Sequence, residues 1–131
     1  MTPESRSILL VDDERDIIKT VKRWLEADGF RVYGYADPLQ ALECFQNNYD
    51  KIDLVLSDVR MRKMNGYDLV KKIKAIRPET KVVFMTALDT DLLELSNLLP
   101  SIKIDGFVSK PGPLDNIVNT IESIFLTRSI G

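Results

Sequence analysis

The residues in this sequence best suited to chemistry are Asp12, Asp13, Asp58, Thr86 and Lys110. Each stands at the C-terminal end of a short apolar run or just past it: after Ile8-Leu9-Leu10-Val11, after Ile52 to Ser57, after Val82 to Met85 and after Ile104 to Ser109. Three carboxylates gathered at close range repel one another, and a hard divalent cation relieves that repulsion. An all-oxygen ligand set favours Mg2+, with Mn2+ as its substitute, over Zn2+. Mg2+ usually keeps several waters and takes one or two carboxylates plus a phosphate oxygen. A lysine beside a hydroxyl then reads as a second binding element for a phosphoryl group. A carboxylate can itself accept that group as an aspartyl phosphate.

Only topology can gather these residues, since 98 positions separate Asp12 from Lys110. The apolar runs alternate with amphipathic stretches through the chain. Ile17, Ile18, Val21, Trp24 and Leu25 recur at helical spacing and stop at Gly29, a C′ glycine. Phe30 to Tyr35 reads as a second strand. Asp37-Pro38-Leu39-Gln40 is a helix start, with Asp at N-cap and Pro at N1. The Asn65-Gly66 pair reads as a turn before a third helix carrying Leu69, Val70, Ile73 and Ile76, which Pro78 closes. Asp89 caps a predicted fourth helix with Leu92, Leu93, Leu95, Leu98 and Leu99, and Pro113 opens a fifth. The first, third and fourth strands are continuous apolar runs, the pattern of strands covered on both faces. Five strand–helix units with right-handed crossovers predict a three-layer αβα sandwich around a parallel sheet, with every strand's C-terminal end on one edge. Ligands bind at that edge in open α/β sheets.

Composition narrows the chemistry further. The 131 residues predict one domain over 1–131. The chain has no histidine, which removes the usual general base, His-ligated metals and any role as a histidine phosphodonor. One cysteine, Cys44, excludes an internal disulfide framework and fits a reducing, cytoplasmic setting. A net charge of −2 argues against direct nucleic-acid binding by the domain as a whole. The first apolar run has four residues, too short for a signal h-region or a membrane span. The basic stretch Lys71, Lys72, Lys74 and Arg77 reads as a solvent-exposed helix face, and Trp24 as core.

These residues resemble a known family. Ile8 to Glu14, Leu54 to Met61, Asn65-Gly66-Tyr67-Asp68-Leu69, Met85-Thr86-Ala87 and Gly106 to Pro111 together resemble the receiver domain of two-component response regulators, over about residues 6–126. The resemblance implies a flavodoxin-like, doubly wound five-stranded sheet in the order 2-1-3-4-5. It implies that Asp58 accepts a phosphoryl group from the phosphohistidine of a sensor histidine kinase or phosphotransfer protein, with the domain catalysing its own phosphorylation and dephosphorylation. It further implies that Asp13 is a direct Mg2+ ligand, that Asp12 binds directly or through water, and that the Arg60 backbone carbonyl completes the protein ligands. Thr86 corresponds to the switch hydroxyl, Lys110 to the counter-charge and Phe107 to the switch aromatic, with a cis bond expected at Lys110-Pro111. A downstream protein or effector domain would read the state of the face built from the fourth helix, fifth strand and fifth helix, and a homodimer could form through that same face.

The sequence departs from the family pattern in places. Arg62 stands where proline is usual after the methionine, so the loop after Asp58 is expected to be less rigid. The resemblance implies that Arg60 and Leu88 occupy positions that tune attack of water on the phosphoryl group. Two other readings compete. One is a degenerate receiver serving only as a protein-binding module, which the presence of Asp58, Thr86 and Lys110 disfavours. The other is a Mg2+-dependent phosphohydrolase, whose pattern places Asp-x-Asp after the first strand where this chain has Asp12-Asp13.

Overall fold

A computed structural model describes residues 6–86, 103–109 and 114–130. Five parallel strands form one sheet: β1 (Ser7–Val11), β2 (Arg31–Tyr35), β3 (Leu54–Asp58), β4 (Lys81–Thr86) and β5 (Gly106–Ser109). Their order is β2-β1-β3-β4-β5, as expected for the flavodoxin-like sandwich. Three helices lie between them in sequence, α1 (Arg15–Ala27), α2 (Pro38–Asn48) and α3 (Gly66–Ile76), and the C-terminal helix spans Leu114–Ile130. The predicted fourth helix over 89–99 lies outside the described residues.

Alternation along the strands builds both outer layers. Ile8 and Leu10 of β1 join Leu54 and Leu56 of β3 in a core with Val21 and Leu25 of α1 and Ile117, Ile121 and Phe125 of the C-terminal helix. Leu9, Val11 and Val55 face the other way, onto Ala41, Cys44 and Phe45 of α2 and Leu69 and Ile73 of α3. Because β1, β3 and β4 are buried on both faces, they carry apolar residues at successive positions. Cys44 is thus a buried core residue. Trp24 is only half-buried and lies outside both clusters, a correction to its expected core position.

Local signals set the element ends. Gly29 follows α1 with φ 96°, the left-handed conformation that glycine adopts without a Cβ clash. Asp37 caps α2, its Oδ1 accepting from the Leu39 N–H at 2.8 Å, with Pro38 in the first turn. Asn65 is the cap of α3 rather than part of a free turn: its Oδ1 accepts from the Asp68 N–H at 2.8 Å, and Gly66 is already helical. The basic stretch on α3 is only partly a solvated face. Lys71 and Lys72 are exposed, whereas half-buried Lys74 donates to the Thr80 carbonyl at 2.8 Å and Arg77 donates to the carbonyls of Tyr49 and Ile52. Among the described residues no helix is long and apolar enough to cross a membrane.

Candidate functional site

Strand register brings the predicted residues to one edge. Val11 pairs with Ser57, Asp58 with Met85, and Thr86 with Ser109. Asp12 and Asp13 follow the end of β1, Asp58 is the last residue of β3 and Thr86 the last of β4. Asp12, Asp13 and Asp58 each offer a carboxylate oxygen, and these oxygens all lie within 4.8 Å of one another. Asp12 is fully buried, Asp58 is 6% exposed and Asp13 is half-buried, so the cluster opens to solvent on the Asp13 side.

Backbone amides hold this arrangement. The Glu14 N–H donates to Asp12 Oδ1 at 2.9 Å, and the Val59 N–H donates to Asp58 Oδ1 at 2.9 Å. The Asp12 N–H in turn donates to the Tyr35 carbonyl at 3.2 Å, which ties the first acidic residue to β2. At 4.8 Å, two carboxylate charges repel by about 3 kcal/mol at an effective dielectric near 20. A hard divalent cation would turn that repulsion into attraction. The donors are all carboxylate oxygens, and the set fits Mg2+.

The loop from Val59 to Asn65 borders the cluster. Its base closes through the Gly66 N–H, which donates to the Val59 carbonyl at 2.7 Å. Ser57 Oγ donates to the Asp58 carbonyl at 2.8 Å. A Cβ at residue 66 would collide with that same carbonyl oxygen, so only glycine lets α3 start so close to the end of β3. In the sequence Gly66 reads as a turn residue, which does not account for this close approach. The signal was present, since a glycine that opens a helix eight residues after an acidic strand end invites the question of what approaches it.

Farther out, the Arg62 N–H donates to Asp13 Oδ2 at 3.4 Å. Lys63 has φ 69°, and its Nζ donates to Asp37 Oδ2 at 2.7 Å. This ion pair, with the Leu39 N–H, holds the Asp37 carboxyl below its ordinary range. Neither Lys63 nor Asp37 is singled out by the sequence as part of the site.

The remaining expected residues are placed as follows. Arg60 is exposed in the loop directly after Asp58-Val59. Phe107 lies half-buried on β5, its ring stacked with that of Phe84 at 6.4 Å between centroids. Thr86 is placed by its backbone alone, and Lys110, Pro111 and Leu88 lie outside the described residues.

Comparison with known proteins converges with this geometry. The family model described as the response regulator receiver domain matches residues 8–122. The transcriptional regulatory protein CpxR of Escherichia coli is 37% identical over 122 residues, covering 93% of this chain and 50% of the relative, so the chain spans about half the length of that protein. A receiver domain protein from Clostridium thermocellum superposes with a TM-score of 0.85 at 27% identity, covering 95% of this chain and 98% of that one. The structure of a CheX-CheY-BeF3-Mg+2 complex from Borrelia burgdorferi gives a TM-score of 0.80 at 26% identity, covering 92% and 89%.

Proposed function

The chain belongs to the response regulator receiver domain family, and from that premise we propose that it carries a phosphoryl group on Asp58, received from a phosphohistidine. One observation supports the assignment to these residues above all others: the carboxylate oxygens of Asp12, Asp13 and Asp58 lie within 4.8 Å of one another at the C-terminal edge of a parallel sheet. Burial of Asp12 and Asp58 there is costly unless their charge is compensated, and a bound cation would add to the compensation that the backbone amides give.

Asp13 and Asp12 would hold Mg2+, Asp13 directly and Asp12 directly or through water, together with Asp58 and the Arg60 carbonyl. Bound there, Mg2+ supplies charge neutralisation for the transferring phosphoryl group. An Asp58 carboxylate oxygen forms the bond to phosphorus as the phosphorus–nitrogen bond of the donor breaks. The departing imidazole keeps the electron pair and takes up a proton. The Val59 N–H on Asp58 Oδ1 and the Glu14 N–H on Asp12 Oδ1 fix the carboxylates in orientation, so little reorganisation accompanies the transfer. Thr86 and Lys110 would contact the phosphoryl oxygens, Phe107 would follow the position of Thr86, and Leu88 would shield the aspartyl phosphate from water.

The donor is a sensor histidine kinase or phosphotransfer protein, the partner that membership of the receiver family supports. The reader of the phosphorylated state is a downstream protein or effector domain, or a second copy meeting it through the fourth-helix to fifth-helix face. The setting is cytoplasmic.

The test is labelling with radioactive acetyl phosphate. With Mg2+ the wild-type protein is expected to take up label at Asp58, and Asp58→Asn or added EDTA should abolish it. A wild-type protein that stays unlabelled with Mg2+ in excess overturns the reading and leaves a protein-binding module. Sustained release of phosphate from p-nitrophenyl phosphate would instead identify a phosphohydrolase.

A further inference from the structure

The loop after Asp58 is fastened at two levels. Its base is closed by the Gly66 N–H on the Val59 carbonyl at 2.7 Å and by the Val59 N–H on Asp58 Oδ1. Its outer part meets the acidic cluster where the Arg62 N–H approaches Asp13 Oδ2 at 3.4 Å. Proline has no N–H, so this contact is open to Arg62 and would be closed to a proline at the same position. A bond of 3.4 Å is long and weak by itself, and its survival depends on what holds the loop in place.

One residue later the chain turns through φ 69° at Lys63. That turn sends the Lys63 side chain across a groove of about 450 Å³, bordered by Asp13, Tyr35, Asp37 and Arg62, to Asp37 Oδ2 at 2.7 Å. Asp37 is itself fixed, because its other oxygen caps α2 through the Leu39 N–H. The loop tip is therefore tied to an element that does not share its base.

We propose that the Lys63–Asp37 ion pair is a positioning latch: it holds the Arg62 N–H against Asp13 Oδ2 and so sets how well the acidic cluster binds a divalent cation. The proposal rests on the cation site of the preceding section, and it concerns residues that bind neither cation nor phosphoryl group. Lys63 is 59% exposed and Asp37 24% exposed, so the pair is worth what a surface ion pair is worth. That corresponds to a change in cation affinity of about two- to fivefold.

The test uses the whole protein and Mn2+ as the probe, with free Mn2+ counted by electron paramagnetic resonance. Lys63→Ala is expected to weaken Mn2+ binding about two- to fivefold and to speed hydrogen exchange at the Arg62 amide. Asp37→Asn keeps an oxygen for the α2 cap while removing the charge, and should reproduce the loss. The double variant should be no weaker than either single one, and Lys63→Arg should restore affinity. Urea midpoints of these surface variants should fall by no more than the loss of one surface ion pair allows, so a general loss of structure would show itself separately. Unchanged or tightened Mn2+ binding in Lys63→Ala, or additive losses in the double variant, overturns the latch. Such a result beside normal acetyl phosphate labelling leaves the phosphoacceptor reading standing. Normal Mn2+ effects beside an unlabelled Asp58 do the reverse. A wild-type protein that binds no Mn2+ overturns the latch together with the cation site.

Discussion

Replacing Gly66 by alanine sets two physical effects against each other. In the middle of a helix, glycine costs about 1 kcal/mol relative to alanine, so helix propensity alone predicts that Gly66→Ala stabilises α3. Close approach predicts the opposite. The new methyl would collide with the Asp58 carbonyl oxygen and lie 3.1 Å from both the Asp58 carbonyl carbon and Ser57 Oγ. The obstacle is backbone at the end of a central strand, paired on both sides by β1 and β4, so it cannot swing aside as a side-chain tip would. Reaching ordinary contact requires α3 to withdraw by on the order of 1 Å, and overpacking of this kind costs ~1–3 kcal/mol. Withdrawal also stretches the bond from the Gly66 N–H to the Val59 carbonyl at 2.7 Å, and Ser57 Oγ must give up or bend its 2.8 Å bond to the Asp58 carbonyl. Each such bond contributes about 1 kcal/mol net. The balance favours destabilisation, by about 2–3 kcal/mol after the propensity gain is subtracted. Urea unfolding followed by far-UV circular dichroism measures it, with an unchanged m-value showing that the two states stay comparable. The site should suffer as well, because functional geometry tolerates only about 0.5 Å of displacement and the loop from Val59 to Asn65 starts at the strained carbonyl. Weakened Mn2+ binding is therefore expected in the folded fraction. A Gly66→Ala protein as stable as the wild type, or more so, would refute the close-approach argument and leave helix propensity as the dominant effect.

Other expectations follow from side chains around the fold. In Lys63→Ala, the Asp37 carboxyl should titrate closer to its ordinary value by NMR, because the Lys63 hydrogen bond is the largest influence lowering it. Asp37 is depressed in the folded state, so its contribution is present above the ordinary carboxylate range and is lost as pH falls through the folded value. The variant should show less of that acid-side loss, and an unmoved titration would refute the pairing. Glu122 is pushed the other way, chiefly by a hydrogen bond with Asp28 and then by burial. Its raised value gives stability that is complete below the ordinary glutamate pKa and lost as pH rises through the folded one. Asp28→Asn should bring the Glu122 titration down and remove that loss, as paired carboxyl NMR titration and urea midpoints would show. Lys74→Met should cost about 1–2 kcal/mol in urea, since the ammonium bonds to the carbonyls of Thr80 and Pro78 are replaced by none. A neutral result there would mean that relief of the partial burial, which already pushes the Lys74 pKa down, offsets both bonds.

What the sequence displayed, and what it concealed, divides along the reach of each interaction. Burial on both faces of a sheet fixes residue type at every successive position, so Ile8-Leu9-Leu10-Val11 and Leu54-Val55-Leu56 announce central parallel strands without any knowledge of their partners. The Asp37 cap is equally legible, because it bonds to an amide two residues away, whereas Asn65, beside Gly66, reads as a turn although it bonds to an amide three residues away. The acidic cluster could be anticipated because parallel topology sends every strand's C-terminal end to one edge, and Asp12, Asp13 and Asp58 interrupt apolar runs there. The hidden devices depend on approach through space between different elements, several of them far apart in the chain. Asp53 starts two strands at once: its Oδ2 accepts from the Ser7 N–H at 2.9 Å while its own N–H donates to the Ser7 carbonyl. Asp105 does the same for β4, accepting from the Val82 N–H at 2.8 Å and donating its N–H to the Val82 carbonyl, which is why β5 begins at Gly106 rather than at Ile104. Read in isolation, Asp53, Lys63, Gly66, Lys74 and Asp105 are ordinary loop or surface residues. Arg62 shows what local reading leaves out: the lack of a proline predicts a looser loop, and the amide that proline would have removed is one that reaches Asp13. A departure from a family's habitual residue therefore has to be judged by what the new backbone can bond, as well as by the rigidity it gives up.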